Sequence, residues 1–174
     1  MSDDRLKTAA AALGRIPSGL FIVTARSPLA PNPSPARGEG EEVETGLLAS
    51  WVQQCSFEPP QLTACLRRGR EMNAWLEVGA PFTVNILEDD GSTDLIVHFG
   101  RGFALDEPAF EGLEVYRPDG APPVLREALA YLECRVVARH PAGDHDLILG
   151  RIVAGAMHGE GKPMIHVRKS GLHY

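Results

Sequence analysis

Three arginines within four residues, Arg67, Arg68 and Arg70, are the clearest candidates for holding an anion. A guanidinium can bind a phosphate through two parallel hydrogen bonds. A helix that begins near Glu71 would add backbone N–H donors, and Asn73 follows in its first turn. The cluster is large enough for one phosphate group and too short to follow a nucleic-acid backbone. A solvated basic turn is the alternative, because most short basic runs serve no ligand.

His145 is the candidate for work at a reacting centre. It lies at a predicted turn between Asp144 and Asp146, whose carboxylates can orient its ring. A histidine on a surface turn is the alternative. A metal site with His140, five residues away, is disfavoured because a metal needs three or four converging ligands and the sequence offers no second cluster. We therefore expect no metal ion.

The composition limits what these residues can serve. The 174 residues include 17 Lys and Arg against 23 Asp and Glu, a net charge of −6, which argues against a nucleic-acid binder. No apolar run approaches the roughly 20 residues of a membrane-spanning helix, and Asp3 and Asp4 stand where a signal peptide is positive. Cys55, Cys65 and Cys134 form no CxxC pair. We expect reduced thiols and a cytoplasmic protein without a membrane partner.

The elements that must position these residues are mostly strands. Strands and helices do not alternate regularly, which favours an antiparallel barrel with helices around it over a doubly wound sheet. The stretch 27–42 is expected to be a mobile excursion, because it holds four prolines and several acids. The predicted strands are 19–25, 43–50, 62–66, 82–87, 129–139, 147–157 and 164–167, with a turn at 141–144, and the predicted helices are 3–13, 71–78 and 93–99, the last capped by Ser92.

Four segments occur in an order typical of one family: GLLASWVQQCSFEPP at 46–60, PFTVNIL at 81–87, GDH at 143–145 and RKSGLHY at 168–174. Together they resemble the flavin reductase-like, FMN-binding split-barrel family. The LLASWVQQ run and the KSGLHY ending are similar to the C-terminal flavin reductase module of diflavin flavodiiron proteins. The resemblance implies a mainly β (α+β) fold: a split β-barrel of about six antiparallel strands in Greek-key arrangement with peripheral helices, forming a single domain over 1–174.

The resemblance also implies where a flavin would bind. Backbone amides of the small-residue segment would bond the polar edge of the ring, although an ordinary strand ending in a turn is the alternative there. Arg67 would hold the phosphate, with Arg70 and Asn73 as partners. Asn85 would contact the flavin or its supporting loop, and a core amide bonded to backbone is equally expected. The implied cofactor-binding residues are Ala49, Ser50, Trp51, Val52, Cys55, Ser56, Arg67, Arg70, Asn73, Asn85 and His145, with His145 also the implied catalytic residue.

The activity implied by the resemblance is that of an NAD(P)H:flavin oxidoreductase. FMN, or FAD as the alternative, would accept electrons from NADH or NADPH and pass them to free flavin or another acceptor, within a homodimer. Glu58, Arg168, His173 and Tyr174 would complete the pocket across the subunit interface. Three other functions stay open: a non-enzymatic FMN-binding electron carrier, an oxidase of a small amine in the manner of pyridoxamine phosphate oxidases, and a flavin-free relative.

Overall fold

The computed structural model describes residues 3–28, 42–104 and 107–171, with side chains from Lys7 onward. Most of the 27–42 stretch, His173 and Tyr174 therefore lie outside the described residues. None of the described helices, the longest of 11 residues, is long and apolar enough to cross a membrane. The helices are α1 (Asp3–Leu13), α2 (Glu71–Trp75) and α3 (Thr93–Gly100), and the strands are β1 (Ser18–Gly19), β2 (Phe21–Arg26), β3 (Glu44–Ala49), β4 (Val52–Phe57), β5 (Pro60–Arg67), β6 (Pro81–Ile86), β7 (Val115–Tyr116), β8 (Val124–Leu125), β9 (Ala130–Ala142), β10 (His145–Met157) and β11 (Ile165–His166).

Seven of these strands form one antiparallel sheet in the order β3-β2-β6-β9-β10-β5-β4. Its first and last members, β3 and β4, are consecutive in the chain and are joined only by Ser50 and Trp51. So short a link requires the sheet to curl until its two edges approach each other. The predicted mainly β split barrel with peripheral helices is confirmed. Two short pairings, β1 with β11 and β7 with β8, lie outside this sheet.

The long hairpin of β9 and β10 carries His145 to a defined place. Its turn contains Gly143, whose φ of +64° is the left-handed conformation that glycine adopts without strain. β10 then pairs with β5 so that His145 lies opposite Arg67. The register of two strands far apart in sequence thus places the candidate histidine beside the first arginine of the basic turn.

The core has two parts, one inside the barrel and one beneath α3. Phe82, Val84 and Ile148 fill the interior and are at most 1% exposed. On the other side of the sheet, Phe99 of α3 packs in a second apolar cluster. A Cβ at Gly46 would lie 2.7 Å from the Phe99 ring, so a glycine lets α3 rest directly on β3. This packing fixes one wall of the site described below.

The short strands β7 and β8 are absent from the sequence prediction, and β4, α2 and the start of α3 also differ from it. β4 was not expected; its central residues 53–55 are exposed, so it lacks the half-buried alternation that marks a strand. α2 ends at Trp75 rather than at residue 78, since Leu76 leaves the helical conformation and is buried. Ser92 precedes α3, but its Oγ accepts a 2.9 Å hydrogen bond from the Glu88 amide and makes no capping bond to the helix.

Candidate functional site

A cavity of about 860 Å³ lies where the ends of β3, β5 and β10 approach α3 and the C-terminal segment 165–171. Its volume is within the range of about 300–1,000 Å³ that small-molecule and cofactor sites occupy. Four lining residues, Leu20, Leu48, Ile96 and Phe99, pack together in the cluster beneath α3 and form an apolar wall, and the lining also contains cationic side chains. The lining comprises Leu20, residues 47–50, residues 65–67, Arg70, Ile96, Phe99, Gly100, Gly102, His145 and residues 166–170.

Ser50 is the lining residue whose polar group most needs a partner. It lies in the link between β3 and β4 and is 5% exposed. Its Oγ is buried and makes no hydrogen bond among the described residues. A buried hydroxyl left in that state costs about 1–3 kcal/mol, so a bound molecule that pairs with it would recover this cost. Ala49 beside it also lines the cavity, as the small-residue segment predicted.

Two of the three arginines face the cavity and the third does not. Arg67 and Arg70 are lining residues with exposed side chains. The Arg70 guanidinium lies over Gly102, where an added Cβ would be 2.8 Å from Nη1. Among the described residues that line the cavity none is Asp or Glu, whereas four are Arg or Lys. In a chain of net charge −6, this concentration of positive charge suits an anionic ligand.

His145 reaches the cavity with its ring already oriented. Its Nδ1 lies 2.8 Å from Asp144 Oδ1, and its side chain is 10% exposed. The hydrogen bond from His145 lowers the pKa of Asp144, which is therefore ionised near neutral pH and can only accept. The proton is consequently on Nδ1, which leaves Nε2 to meet a ligand. Asp146 does not share this role, because it points to the opposite face of β10.

Trp51, a predicted cofactor-binding residue that is not among the residues lining the cavity, connects this histidine to the C-terminal segment. Its ring centroid is 4.9 Å from that of His145, and the Arg168 guanidinium lies 4.8 Å from the indole centroid. The segment is held against α1, since the Arg168 amide donates to Gly14 O at 3.1 Å and the Gly171 amide donates to Ala10 O at 2.7 Å. The first helix of the chain therefore supports a wall of the cavity.

Several predicted residues lie away from the cavity. Asn85 is fully buried and uses both ends of its amide: Nδ2 donates to Ile22 O at 3.1 Å, and Oδ1 accepts from the Leu125 amide at 2.8 Å. Val52 packs on the barrel core, Cys55 is exposed on β4, and Ser56 is half-buried on that strand. Contact of these four with a cofactor stays a prediction. No three His, Cys, Asp or Glu side chains of the described chain converge as a metal site would require.

Asp146 is the important residue that the sequence interpretation placed wrongly. Its side chain is 7% exposed and accepts hydrogen bonds from Arg68 Nε at 2.9 Å, Arg139 Nη2 at 2.7 Å and Asn73 Nδ2 at 2.9 Å. Arg139 Nη1 also donates to Asn73 O at 3.0 Å. Asn73 therefore bonds Asp146 and is not among the residues that line the cavity. The alternation of β10 was the available signal, because Asp146 shares a face with the buried Ile148.

This network predicts an acid-sensitive stability. The hydrogen bonds from Arg139, and next those from Arg68, lower the pKa of Asp146 to about 2 from an ordinary 3.8. A lowered pKa means that the carboxylate stabilises the fold fully above about pH 4 and loses that contribution as the pH falls towards 2. We expect Asp146→Asn to flatten the fall in unfolding free energy between pH 4 and pH 2, measured by urea denaturation. Parallel curves for the two proteins would contradict this expectation.

The residues present fit a planar ligand that carries a phosphate. The apolar wall suits a flat ring system, the Ser50 hydroxyl and neighbouring amides suit its polar edge, and Arg67 with Arg70 suits the phosphate. Such a ligand matches the expectation drawn from the four sequence segments.

Sequence comparison identifies the family. Residues 13–171 match the family model described as the flavin reductase like domain. The putative diflavin flavoprotein A 3 of Nostoc sp. is 35% identical over 164 residues, which cover 94% of this chain and 26% of that protein. Diflavin flavoprotein A 1 of Synechocystis sp. is also 35% identical, with the same coverage. The chain spans about a quarter of the length of these curated relatives.

Structural comparison agrees on the fold. The NADH:FAD oxidoreductase SgcE6 of Streptomyces globisporus superposes with a TM-score of 0.76 at 22% identity, covering 96% of this chain and 92% of that one. The same oxidoreductase in complex with NAD and FAD fragments superposes with a TM-score of 0.73 at 22% identity, covering 94% and 88%. At 22% identity, this structural similarity shows a shared fold and nothing further. By its match to the family model and its identity to the diflavin flavoproteins, the chain belongs to the flavin reductase-like family.

Proposed function

We propose that this chain is an NAD(P)H-dependent flavin oxidoreductase that uses FMN, with FAD as the alternative. The observation that carries the proposal is the cavity of about 860 Å³ in which an unpartnered Ser50 hydroxyl, two arginines and an apolar wall meet. Family membership supports it, as does the binding of NAD and FAD fragments by SgcE6. When bound, the flavin supplies a two-electron acceptor for hydride from the nicotinamide.

The chain's own residues bind and orient in this proposal. Arg67 and Arg70 hold the flavin phosphate, and Ser50 with its neighbouring amides holds the polar edge of the ring. His145, with its proton fixed on Nδ1 by Asp144, offers Nε2 to the substrate side of the cavity. No protein nucleophile is required, because the reaction depends on holding two rings in contact. Positioning is therefore the main contribution of the protein.

Three further proposals concern the setting of this activity. We propose a homodimer, supported by large apolar side chains exposed on β4 and β10: Phe57 is 89%, Val153 54% and Met157 63% exposed. We propose a cytoplasmic location, supported by three free cysteines. We also propose that residues 1–174 act as one domain, supported by a family match that spans 13–171.

A spectroscopic titration tests the proposal. The purified chain is saturated with FMN, freed of excess cofactor and mixed anaerobically with NADH or NADPH while the visible flavin band is recorded. We expect the band to bleach with at least one nucleotide in a single phase at stoichiometric reductant. A band that persists with both nucleotides but bleaches with dithionite would favour the non-enzymatic electron carrier. A chain that takes up no flavin at micromolar concentration would rule out both.

Thiol chemistry gives a second test that does not depend on activity. Cys65 lines the cavity, and burial raises the pKa of its thiol, so alkylation should be slow at pH 7 and faster as the pH rises. We expect saturating FMN to slow Cys65 alkylation about tenfold or more, followed by peptide mass spectrometry. Cys134 serves as the internal control, because it is 1% exposed and burial raises its pKa to about 12. Alkylation of Cys65 at an unchanged rate would place the flavin elsewhere.

A further inference from the structure

The basic turn contains an arginine that the proposed cofactor site does not use. Arg68 lies between two residues that line the cavity, yet it is not a lining residue. Its Nε donates instead to Asp146 Oδ1 at 2.9 Å, and its backbone amide donates to Asp144 O at 2.9 Å. Both bonds draw the middle of the turn towards the start of β10. The side chains of Arg67 and Arg70 are thereby left to face the cavity.

We propose that Asp146 is a positioning residue that fixes the basic turn so that Arg67 and Arg70 meet the flavin phosphate. It acts without touching the ligand, by holding Arg68 within the turn and Asn73 in the helix that follows it. This inference rests on the proposed function, because it needs a phosphate-bearing flavin in the cavity. It goes beyond that function by assigning selectivity for a phosphorylated flavin to a residue outside the site.

The helix that follows the turn is held by the same carboxylate through Asn73, together with Arg139 of β9. Arg68 and Asn73 donate to different oxygens of the carboxylate. Asn73 Nδ2 donates to Asp146 Oδ2 at 2.9 Å, and Asn73 is only 2% exposed. Arg139 bonds the same Oδ2 at 2.7 Å and also Asn73 O at 3.0 Å. One carboxylate therefore connects β9, β10, the turn and α2. These hydrogen bonds restrain the conformation of the turn as long as the carboxylate is present.

Charge and geometry predict opposite results when Asp146 is replaced. Asp146→Asn removes a negative charge beside an anion site, so simple electrostatics predicts tighter FMN binding. It also frees Arg68 to compete for the cavity. A positioning role predicts weaker FMN binding, because the turn loses its anchor and must be ordered when the ligand binds. The sign of the change therefore decides between the two.

The test measures dissociation constants for FMN and for riboflavin, which lacks the phosphate, by flavin fluorescence. For Asp146→Asn we expect FMN to bind about tenfold more weakly and riboflavin to change less than about twofold. Arg68→Gln, which breaks one bond of the network at a side chain 45% exposed, should show the same selective loss at about threefold. Arg67→Gln is the reference for removing a phosphate ligand directly.

Glu77→Gln is the charge-matched control. Glu77 is 72% exposed, and within the described part of the chain its carboxylate bonds Arg139 through Nη1, so its loss changes the net charge equally without releasing Asp146. We expect its FMN affinity to stay within about twofold of the wild type. Equal losses of FMN and riboflavin in Asp146→Asn, or tighter FMN binding, would overturn the inference and leave the proposed function standing. Failure of the wild type to bind either flavin would overturn both.

Discussion

Ser50→Ala is expected to make the cofactor-free chain more stable and the cofactor less tightly bound. The buried Ser50 Oγ has no partner among the described residues, so its removal should raise the unfolding free energy by about 1 kcal/mol. The same change removes the hydrogen bond proposed between Ser50 and the flavin, so FMN affinity should fall about fivefold. Urea denaturation without ligand and fluorescence titration with FMN measure the two effects. A purely structural serine would not give opposite signs.

Ser50→Leu should have the larger effect on binding. Ser50 is 5% exposed and lines the cavity, so the added carbons would either overpack its neighbours, at a cost of about 1–3 kcal/mol, or occupy the space proposed for the flavin edge, and the proposed hydrogen bond is lost in both cases. We expect FMN affinity to fall about 100-fold. A thermal melt of the same preparation controls for misfolding. Wild-type affinity for FMN in a folded Ser50→Leu protein would remove this residue from the site.

Phe82→Ala is expected to have the largest effect on stability. Phe82 is 1% exposed inside the barrel, and a Cβ at Gly150 would overlap its ring, so β10 packs directly on it. Truncating a buried phenylalanine costs about 3–5 kcal/mol through lost burial and the cavity left behind. That is a large part of the 5–15 kcal/mol or so that stabilises a domain. A urea midpoint shift at unchanged slope measures it.

Val97→Ala is the control for that measurement. Val97 lies on α3 and is 69% exposed, so its truncation also removes apolar carbons but opens no cavity. We expect its stability to stay within about 0.5 kcal/mol of the wild type. If the two variants lost comparable stability, the barrel interior could not be the centre of the core.

Elements with clear periodicity or an apolar run could be predicted from the sequence. α1 matches residues 3–13, β6 lies within one residue of its predicted bounds, and the β9–β10 hairpin is confirmed. β4 escaped prediction because its stability comes from pairing along one edge with β5 rather than from burial of its own side chains. Strand pairing of that kind depends on distant residues, which local pattern does not reveal.

The candidate site was predictable to the extent that single segments determine it. Ala49, Ser50, Arg67, Arg70 and His145 do line one cavity, although their cofactor roles stay predictions. The C-terminal segment was expected to complete the pocket of a partner subunit, whereas its Arg168 lines the cavity of its own chain, and Asp146 was expected to orient His145. The first is placed by hydrogen bonds to α1, and the second pairs with Arg68 at a sequence distance of 78 residues. Both contacts join residues that are far apart in sequence, so they can be identified only in the folded structure.

Ser50 and Trp51 join the two strands that stand at opposite ends of the sheet order. A molecule seated against them would touch both margins of the rolled sheet at once. Its binding energy would then also oppose unrolling, because only the closed form offers the complete contact. Loss of ligand and loosening of the barrel are in this way coupled events. Amide hydrogen exchange along β3 and β4 would slow together as the ligand saturates the protein.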